Sequence, residues 1–520
     1  MPSPQPHVLD PLLETLPLRY PGPGGALAVL KDGSLLAARC WGFADAEKRV
    51  PFTRETLFLI CSITKQFTCA LLLDQFPDPT VLQPDLQATV AHCPAPLPGI
   101  LDLCHNQSGF RDYWALAMLC GADVESPFGP KDARRLIGAT RSLQFSPGTR
   151  YSYANQNFRV LADLIAARRG EPFERLLRER IFDPVGMPHA RLNPDTSSVP
   201  GGTIGYEGSQ ATGFRPAVNR IHWTGDAGIA ASLEDLIAWE RHIDATRDAA
   251  DGLYRRLSAP TRYRDGAPAF YGFGLGHMSV GRHAATGHGG GLRGWRSFRL
   301  YAPAERVSIV VLFNHMADPR AAALEIFSAL VDEPAPAVAP APVPQALTGR
   351  FLDSETGLAV RVEAATEGQA RLYFGANPEP LGVSGAGELK GAQTRIHRVG
   401  SAVRMERVRE NLHSALKPCT GAASPDIEGR FHCAELDATL TVTLAGGVPY
   451  GAFSGFLGEG SMQALVPFGE DVWLLPCARA LDYDAPGDWT LRVLRNPGGS
   501  IGHLQVGCWL ARGLEFRRLS

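Results

Sequence analysis

Phe58-Leu59-Ile60-Cys61-Ser62-Ile63-Thr64-Lys65-Gln66-Phe67-Thr68-Cys69-Ala70-Leu71-Leu72-Leu73 begins as an apolar, strand-like or loop segment and continues as an apolar helix. The first turn of that helix carries Ser62 and Lys65. Three residues are nearly one helical turn, so both side chains project from the same face. A serine hydroxyl is a weak nucleophile at neutral pH and needs a neighbour to take its proton. A lysine one turn away, its pKa lowered by apolar surroundings, can do this. The chain holds only six lysines, Lys31, Lys48, Lys65, Lys131, Lys390 and Lys417, so the spacing carries weight. A rival S-x-x-K exists, Ser414-Ala415-Leu416-Lys417, but it precedes Pro418 with no apolar helix to orient it.

Outward from this stretch, 520 residues exceed one ordinary domain. A net charge of -2 and the absence of any long basic run argue against a nucleic-acid partner. Met1-Pro2-Ser3-Pro4-Gln5-Pro6-His7 does not read as a signal peptide, and no apolar run reaches membrane-span length. The ten cysteines form no CxxC and no Cys/His metal spacing, and the serine chemistry read above is expected to need no metal and no cofactor. They read as small buried hydrophobes in a reducing compartment, and the cytoplasm is the expected location.

Before the serine, residues 24–41 read as a β-hairpin turning at Lys31-Asp32-Gly33. After it, helices are expected at about 132–140, 158–169 and 173–181, and another after Ser232, a fitting N-cap. Strands return at Ser297–Tyr301 and Arg306–Phe313, followed by a helix over 320–331. Early and late strands would join one mostly antiparallel sheet with the middle packed against it. Alternating prolines from Pro334 to Pro344 predict a semi-rigid polyproline II spacer. Beyond it, Leu347-Thr348-Gly349-Arg350-Phe351 recurs as Ile427-Glu428-Gly429-Arg430-Phe431, each followed by an alternating strand. The repeat predicts two small antiparallel barrels in tandem. The expected division is therefore a catalytic domain over 1–332, a linker over 333–346, a barrel over 347–417 and a second over 418–520. In the second copy, residues 477–488 read as a projecting acidic loop holding Asp482 and Asp484.

Two further elements raise Ser62 above its rival. Tyr153-Ala154-Asn155 is the only Tyr-x-Asn, between a Pro-Gly turn and a helix, and His288-Gly289-Gly290-Gly291 holds the only His-x-Gly, ahead of a strand. Alone, the tyrosine reads as a packed side chain with a bonded hydroxyl, and the histidine as a loop residue beside flexible glycines. The three elements in this order resemble the penicillin-recognising serine enzymes, in the branch with class C β-lactamases, DD-carboxypeptidases and related esterases and peptidases. Supporting stretches are Asp102–Gly109, Phe182–Met187 and Gly228–Leu236, so the resemblance covers about residues 10–330.

The resemblance implies an α/β (α+β) β-lactamase/transpeptidase-like domain, an antiparallel sheet beside a helical cluster, with the serine opening a central helix. It implies that Ser62 forms an acyl-enzyme and that Tyr153, as a phenolate stabilised by Lys65, exchanges protons with it. Asn155 would bind substrate and steady Lys65. The backbone N–H groups of Ser62 and Gly291 would form the oxyanion hole, with Gly290 beside the substrate and His288 on the opposite wall. Many relatives carry lysine where His288 stands, to hold a substrate carboxylate. Neutral histidine holds one less well, which lowers the odds of a carboxypeptidase or β-lactamase.

The whole architecture, with its linker, barrels and acidic loop, resembles the D-stereospecific aminopeptidase branch of the superfamily. That implies hydrolysis of N-terminal D-residues from short peptides, amides or esters carrying a free amine, with β-lactams as inhibitors and a homodimeric state. An aminopeptidase must hold an ammonium, which a carboxylate does by charge-assisted bonding; the resemblance points to Asp482. An esterase or β-lactamase/DD-carboxypeptidase-like hydrolase is the alternative. A catalytically inert sensor of peptidoglycan fragments or β-lactams is a third, which intact Ser62, Lys65 and Tyr153 oppose.

Overall fold

The computed structural model describes residues 9–331 and 341–519, apart from positions 94, 366, 367, 376, 386 and 484. The opening Met1–His7, the spacer from Pro334 to Pro340 and Asp484 lie outside the described residues.

The catalytic region is built on an eight-stranded sheet, all of whose pairs are antiparallel. Its strands are β1 (Gly24–Lys31), β2 (Ser34–Asp45), β3 (Val50–Pro51), β4 (Tyr271–Gly272), β5 (Leu275–Val280), β6 (His283–Leu292), β7 (Trp295–Ala302) and β8 (Val307–Phe313). They lie in the order β4-β5-β6-β7-β8-β1-β2-β3, so the first hairpin pairs with the last strand, Val29 facing Ile309. Strand β8 is apolar at almost every position and buried at all of them, as a strand covered on both faces must be. Alternation sends Val310 and Leu312 to one face and Ile309, Val311 and Phe313 to the other. The second face is covered by helices α1 (Asp10–Arg19) and α6 (Pro319–Val331).

The first face carries the helical cluster around α2 (Thr64–Gln75), with α3 (Tyr113–Leu119), α4 (Asn155–Arg169) and α5 (Leu233–Thr246). Every residue of α2 from Thr64 to Leu73 is buried, the apolar Phe67 and Cys69–Leu73 in the core and the polar Thr64, Lys65, Gln66 and Thr68 among them. Ser232 caps α5 in a capping box: its hydroxyl accepts from Asp235 N at 3.1 Å, and Asp235 Oδ2 accepts from Ser232 N at 2.8 Å. Helix α4 begins at Asn155, three residues before the apolar pattern predicts, which puts Asn155 in its first turn and Tyr153 in the irregular segment just ahead of it. A buried bidentate pair, Arg299 with Glu240, ties β7 to α5 with both N–O distances 2.7 Å.

His288-Gly289-Gly290-Gly291 lies inside β6, not in a loop ahead of a strand. Local propensity argues against strand there, but pairing with β7 supplies the partners: His288 faces Arg299, Gly290 faces Ser297 and Gly291 faces Arg296.

Past the spacer, eight antiparallel strands from Gly349–Asp353 to Leu412–Pro418 close into a barrel, the last strand returning to the first with Leu352 opposite Lys417. The rival Ser414 points into this barrel, buried, and its Oγ donates to Asp353 Oδ2 at 2.9 Å. It is a structural hydrogen-bonding residue there. The following ten strands, Gly429–Cys433 to Ala511–Arg518, curl into a half-barrel. Its ladder stays open beside Val466–Gly469, because the chain reaches that strand through two-residue strands too short to carry the pairing across.

This last sheet is no appendage. Phe431, Leu440, Trp489 and Phe516 belong to the same apolar core as Phe67 and Phe158. Leu457 N donates to Cys120 O at 3.1 Å, and Asp112 N donates to Leu510 O at 2.9 Å. The closed barrel keeps its own core and meets the last sheet at buried Glu410, which accepts from Trp509 Nε1 at 3.0 Å and pairs with Arg407 at 2.6 Å.

Candidate active site

Ser62 sits in a single 3₁₀ turn, Cys61–Ile63, that leads into α2. Cys61 takes a left-handed φ of +50°, which costs a residue with a Cβ roughly 1–2 kcal/mol. This turn lifts Ser62 out of an otherwise buried segment, leaving it half-buried at the floor of a cavity. Strand β6 passes directly behind it. A Cβ on Gly290 would lie 2.4 Å from Ile60 O and 2.2 Å from Ser297 Oγ, so only glycine allows this approach. Ser297 Oγ in turn donates to Ile60 O at 2.9 Å, pinning β7 to the turn.

Lys65 is fully buried, and its Nζ is 2.9 Å from Ser62 Oγ, 2.9 Å from Asn155 Oδ1 and 2.7 Å from the Asp226 carbonyl oxygen. Burial pushes its pKa down to about 8, against the opposing pull of Asp226, Asp112 and Asp482. Asn155 Oδ1 and the Asp226 carbonyl can only accept. In the neutral amine both N–H bonds are therefore committed to them, and the remaining lone pair faces Ser62.

Tyr153 OH donates to the same Ser62 Oγ at 2.9 Å, and the Lys65 nitrogen lies over its ring, 4.8 Å from the centroid. Burial holds the Tyr153 hydroxyl well above the usual tyrosine range. That burial favours the phenol, donating to the serine, over the phenolate that the resemblance implies.

His288 Nδ1 bonds the Gly289 carbonyl, which can only accept, so Nδ1 carries the proton. Its Nε2 then accepts from Tyr271 OH at 2.9 Å. Burial, and next Lys65, push its pKa down to about 3, so the ring is neutral. Gly291 follows along β6 in the same wall.

Ser62, Tyr153, Asn155, His288, Gly290, Gly291 and Asp482 all line one cavity of about 520 Å³, with Lys65 beneath Ser62. Asp482 arrives on the 477–488 loop, which projects into the cleft instead of into solvent. Ala480 and Leu481 are 1% and 0% exposed. Arg479 pairs with Glu207 of the catalytic region, and the Arg296 guanidinium lies over the Tyr483 ring at 5.2 Å. Trp509 and Leu510 from the same last sheet complete the wall.

Three groups escaped sequence reasoning. Asp112 is fully buried, caps α3 by accepting from Trp114 N at 2.9 Å, and accepts from Asn155 Nδ2 at 2.6 Å. Burial raises its pKa to about 6. Asp226 is buried beneath Lys65 and accepts from the Tyr113 hydroxyl. Tyr271 holds His288. A carboxylate one residue before a helix was the only signal for Asp112, and it is shared by ordinary caps. Among the described residues no group of three or more His, Cys, Asp or Glu is arranged to hold a metal ion.

A nucleophile-bearing helix beside an antiparallel sheet, with lysine and tyrosine converging on one serine, defines a β-lactamase-like serine hydrolase. A family model described as Beta-lactamase matches residues 9–333, and one described as D-aminopeptidase, domain B, matches residues 341–517. The chain belongs to the β-lactamase family. It is 51% identical over 519 residues to a D-aminopeptidase of Gluconobacter oxydans (strain 621H), covering 98% of each chain. It is 46% identical over 511 residues to a D-aminopeptidase of Brucella anthropi, again covering 98% of each. The octameric penicillin-binding protein homologue from Pyrococcus abyssi shares the fold at 17% identity with a TM-score of 0.54, over 79% of this chain and 99% of that one.

Proposed function

We propose that this protein is a serine aminopeptidase that removes N-terminal D-residues, such as D-alanine, from short peptides, amides and esters. The observation that carries this reading is the convergence of Lys65 Nζ and Tyr153 OH on Ser62 Oγ, both at 2.9 Å, in a cavity entered by the Asp482 loop. Full-length likeness to proteins named D-aminopeptidase supports the substrate class.

Neutral Lys65 takes the Ser62 proton as Oγ bonds to the substrate carbonyl carbon, and the carbonyl electron pair moves onto oxygen. The N–H groups of Ser62 and Gly291 stabilise that oxyanion. Tyr153 gives its proton to the leaving amine, and the Lys65 ammonium, over the same ring, returns one to the phenolate. The C–N bond breaks, leaving acyl-Ser62. Water then attacks the ester, with the same groups taking its proton and returning one to Ser62. Asp482 holds the substrate ammonium. A neutral His288 supplies no cation for a substrate carboxylate, which weighs against a carboxypeptidase or β-lactamase.

Among the described residues no helix is long and apolar enough to cross a membrane. Cys69, Cys104, Cys120, Cys433 and Cys508 are buried thiols, which fits a cytoplasmic setting. We extend the proposal to that location and to a homodimer, the latter on family resemblance and open to check by light scattering. D-Ala and L-Ala p-nitroanilides, each with a free and an acetylated amine, test the function. The free D-substrate should turn over fastest; equal rates on acetylated and free D-substrates would favour the esterase alternative.

A further inference from the structure

The lone pair of neutral Lys65 faces Ser62 only if Asn155 presents its carbonyl, and not its NH₂, to the lysine. An amide turned by 180° would offer Nδ2 instead. That group would compete with the Ser62 O–H for the lone pair. Asn and Gln side chains carry no intrinsic preference between the two orientations, so a partner must choose. In this structure the partner is Asp112. Its Oδ2 accepts from Asn155 Nδ2 at 2.6 Å, while its Oδ1 is taken by Trp114 N at 2.9 Å. A carboxylate cannot donate, so an Asn155 turned the other way would set two oxygens against each other in a buried site.

Asp112 is itself held from outside the catalytic region. Its N–H donates to Leu510 O at 2.9 Å, and neighbouring Arg111 Nε donates to Arg512 O at 2.7 Å. Leu510 and Arg512 belong to the segment around the turn between the last two strands, Ile501–Cys508 and Ala511–Arg518. Arg111 is also paired with Glu435 of the same sheet, at 3.4 Å.

We propose that Asp112 is a positioning residue that fixes the Asn155 amide, thereby aims the Lys65 lone pair at Ser62, and is held in register by the last sheet. The inference rests on the Ser62–Lys65 chemistry proposed above, but not on the D-amino acid or the ammonium site.

Asp112→Asn separates this role from capping. Asparagine caps a helix as well as aspartate, so a residue that only caps would leave kinetics unchanged. An amide has one oxygen for two acceptor positions, however. With that oxygen on Trp114 N, its NH₂ meets the Asn155 NH₂ and turns Asn155 over. Asp112→Asn is expected to lower kcat about 100-fold, the scale of a misplaced catalytic group, with KM within about threefold.

The reciprocal double variant Asp112→Asn/Asn155→Asp restores a donor facing an acceptor and again presents an oxygen to Lys65. It should recover at least tenfold of the lost kcat. It also brings a carboxylate next to Lys65, so the acid limb of its pH profile moves to higher pH. The other groups around Lys65 are unchanged in this comparison: Asp226, Asp482, Cys61, Cys69, Tyr153 and His288.

Rates are read on whichever ester or anilide the wild-type enzyme turns over, and folding is checked by thermal melting. If Asp112→Asn does not fold, Asp112→Ser, which caps but cannot reach Asn155, takes its place and should show the same loss. Wild-type kcat in a folded single variant overturns the proposal, as does a double variant no faster than the single at any pH. An active Ser62→Ala enzyme would instead overturn the chemistry beneath it.

Discussion

Gly290 approaches Ile60 so closely that an added Cβ would lie 2.4 Å from the Ile60 carbonyl oxygen. The contact locks strand β6 to the turn that presents Ser62, and only glycine leaves room for it. Gly290→Ala must push β6 away from Ser62. We expect kcat to fall about 100-fold and the melting temperature to drop. Steady-state kinetics with a thermal melt check this; an alanine variant with wild-type turnover would mean the strand does not set the site.

Ser62 makes its polar contacts at the floor of an open cavity, and its loss removes no core packing. Ser62→Ala should melt like the wild type and show no turnover above background. Rapid quenching of the wild-type enzyme with an ester substrate should show a mass increase on the peptide holding Ser62. Comparable activity in the alanine variant would refute acyl-Ser62 chemistry.

The pH profile follows from Lys65. In the proposed mechanism the neutral amine is the active form, and burial pushes its pKa down to about 8. Activity should therefore rise with pH through about 8. His288 is already neutral across that range, since its pKa is pushed to about 3, and adds no limb there. Replacing Asp226 by Asn removes a negative charge that favours the ammonium, so the limb should move to lower pH. A limb that stays in place, or moves upward, in the folded variant would contradict this assignment.

Asp482 is the carboxylate that the 477–488 loop brings into the cavity. Asp482→Asn should weaken kcat/KM for substrates with a free amine by roughly 10- to 100-fold, and by less than about threefold for acetylated ones. Equal losses on both would remove the ammonium role.

Among its described residues the loop has no regular secondary structure, and it depends on its ties. Arg479 to Glu207 is one of them, joining the loop to the catalytic region. Glu207→Gln should leave the Ser62 site intact while eroding the preference for free over acetylated amines. The exchanged pair Arg479→Glu/Glu207→Arg should restore part of it. Unchanged preference in the single variant would show that the core contacts of Ala480 and Leu481 hold the loop unaided.

What could be read from sequence was local. The S-x-x-K turn, the hairpin around Asp32-Gly33, the Ser232 cap and the largely apolar β8 are set by spacing, turn chemistry and periodicity within a few residues. The repeat of Gly-Arg-Phe announced two β units. The His288 strand was not legible, because three glycines disfavour a strand unless a neighbouring backbone must pass within contact distance, and Ile60 lies far away in sequence.

The same limit governs the site. Sequence named Ser62, Lys65, Tyr153, Asn155, His288 and Asp482 as separate motifs, and order along the chain suggested a common chemistry. Only the tertiary structure put Lys65 and Tyr153 on one oxygen, buried the Tyr153 hydroxyl, and turned the 477–488 loop inward. It also revealed Asp112 and Asp226. A pKa depends on burial and on charges brought together by folding, and an amide's orientation depends on the partner it meets. Residue types determined which reaction this chain could perform; the packing of the last sheet against the catalytic region decided what stands beside Ser62, since Asp482, Trp509 and Leu510 reach its cavity only through the fold.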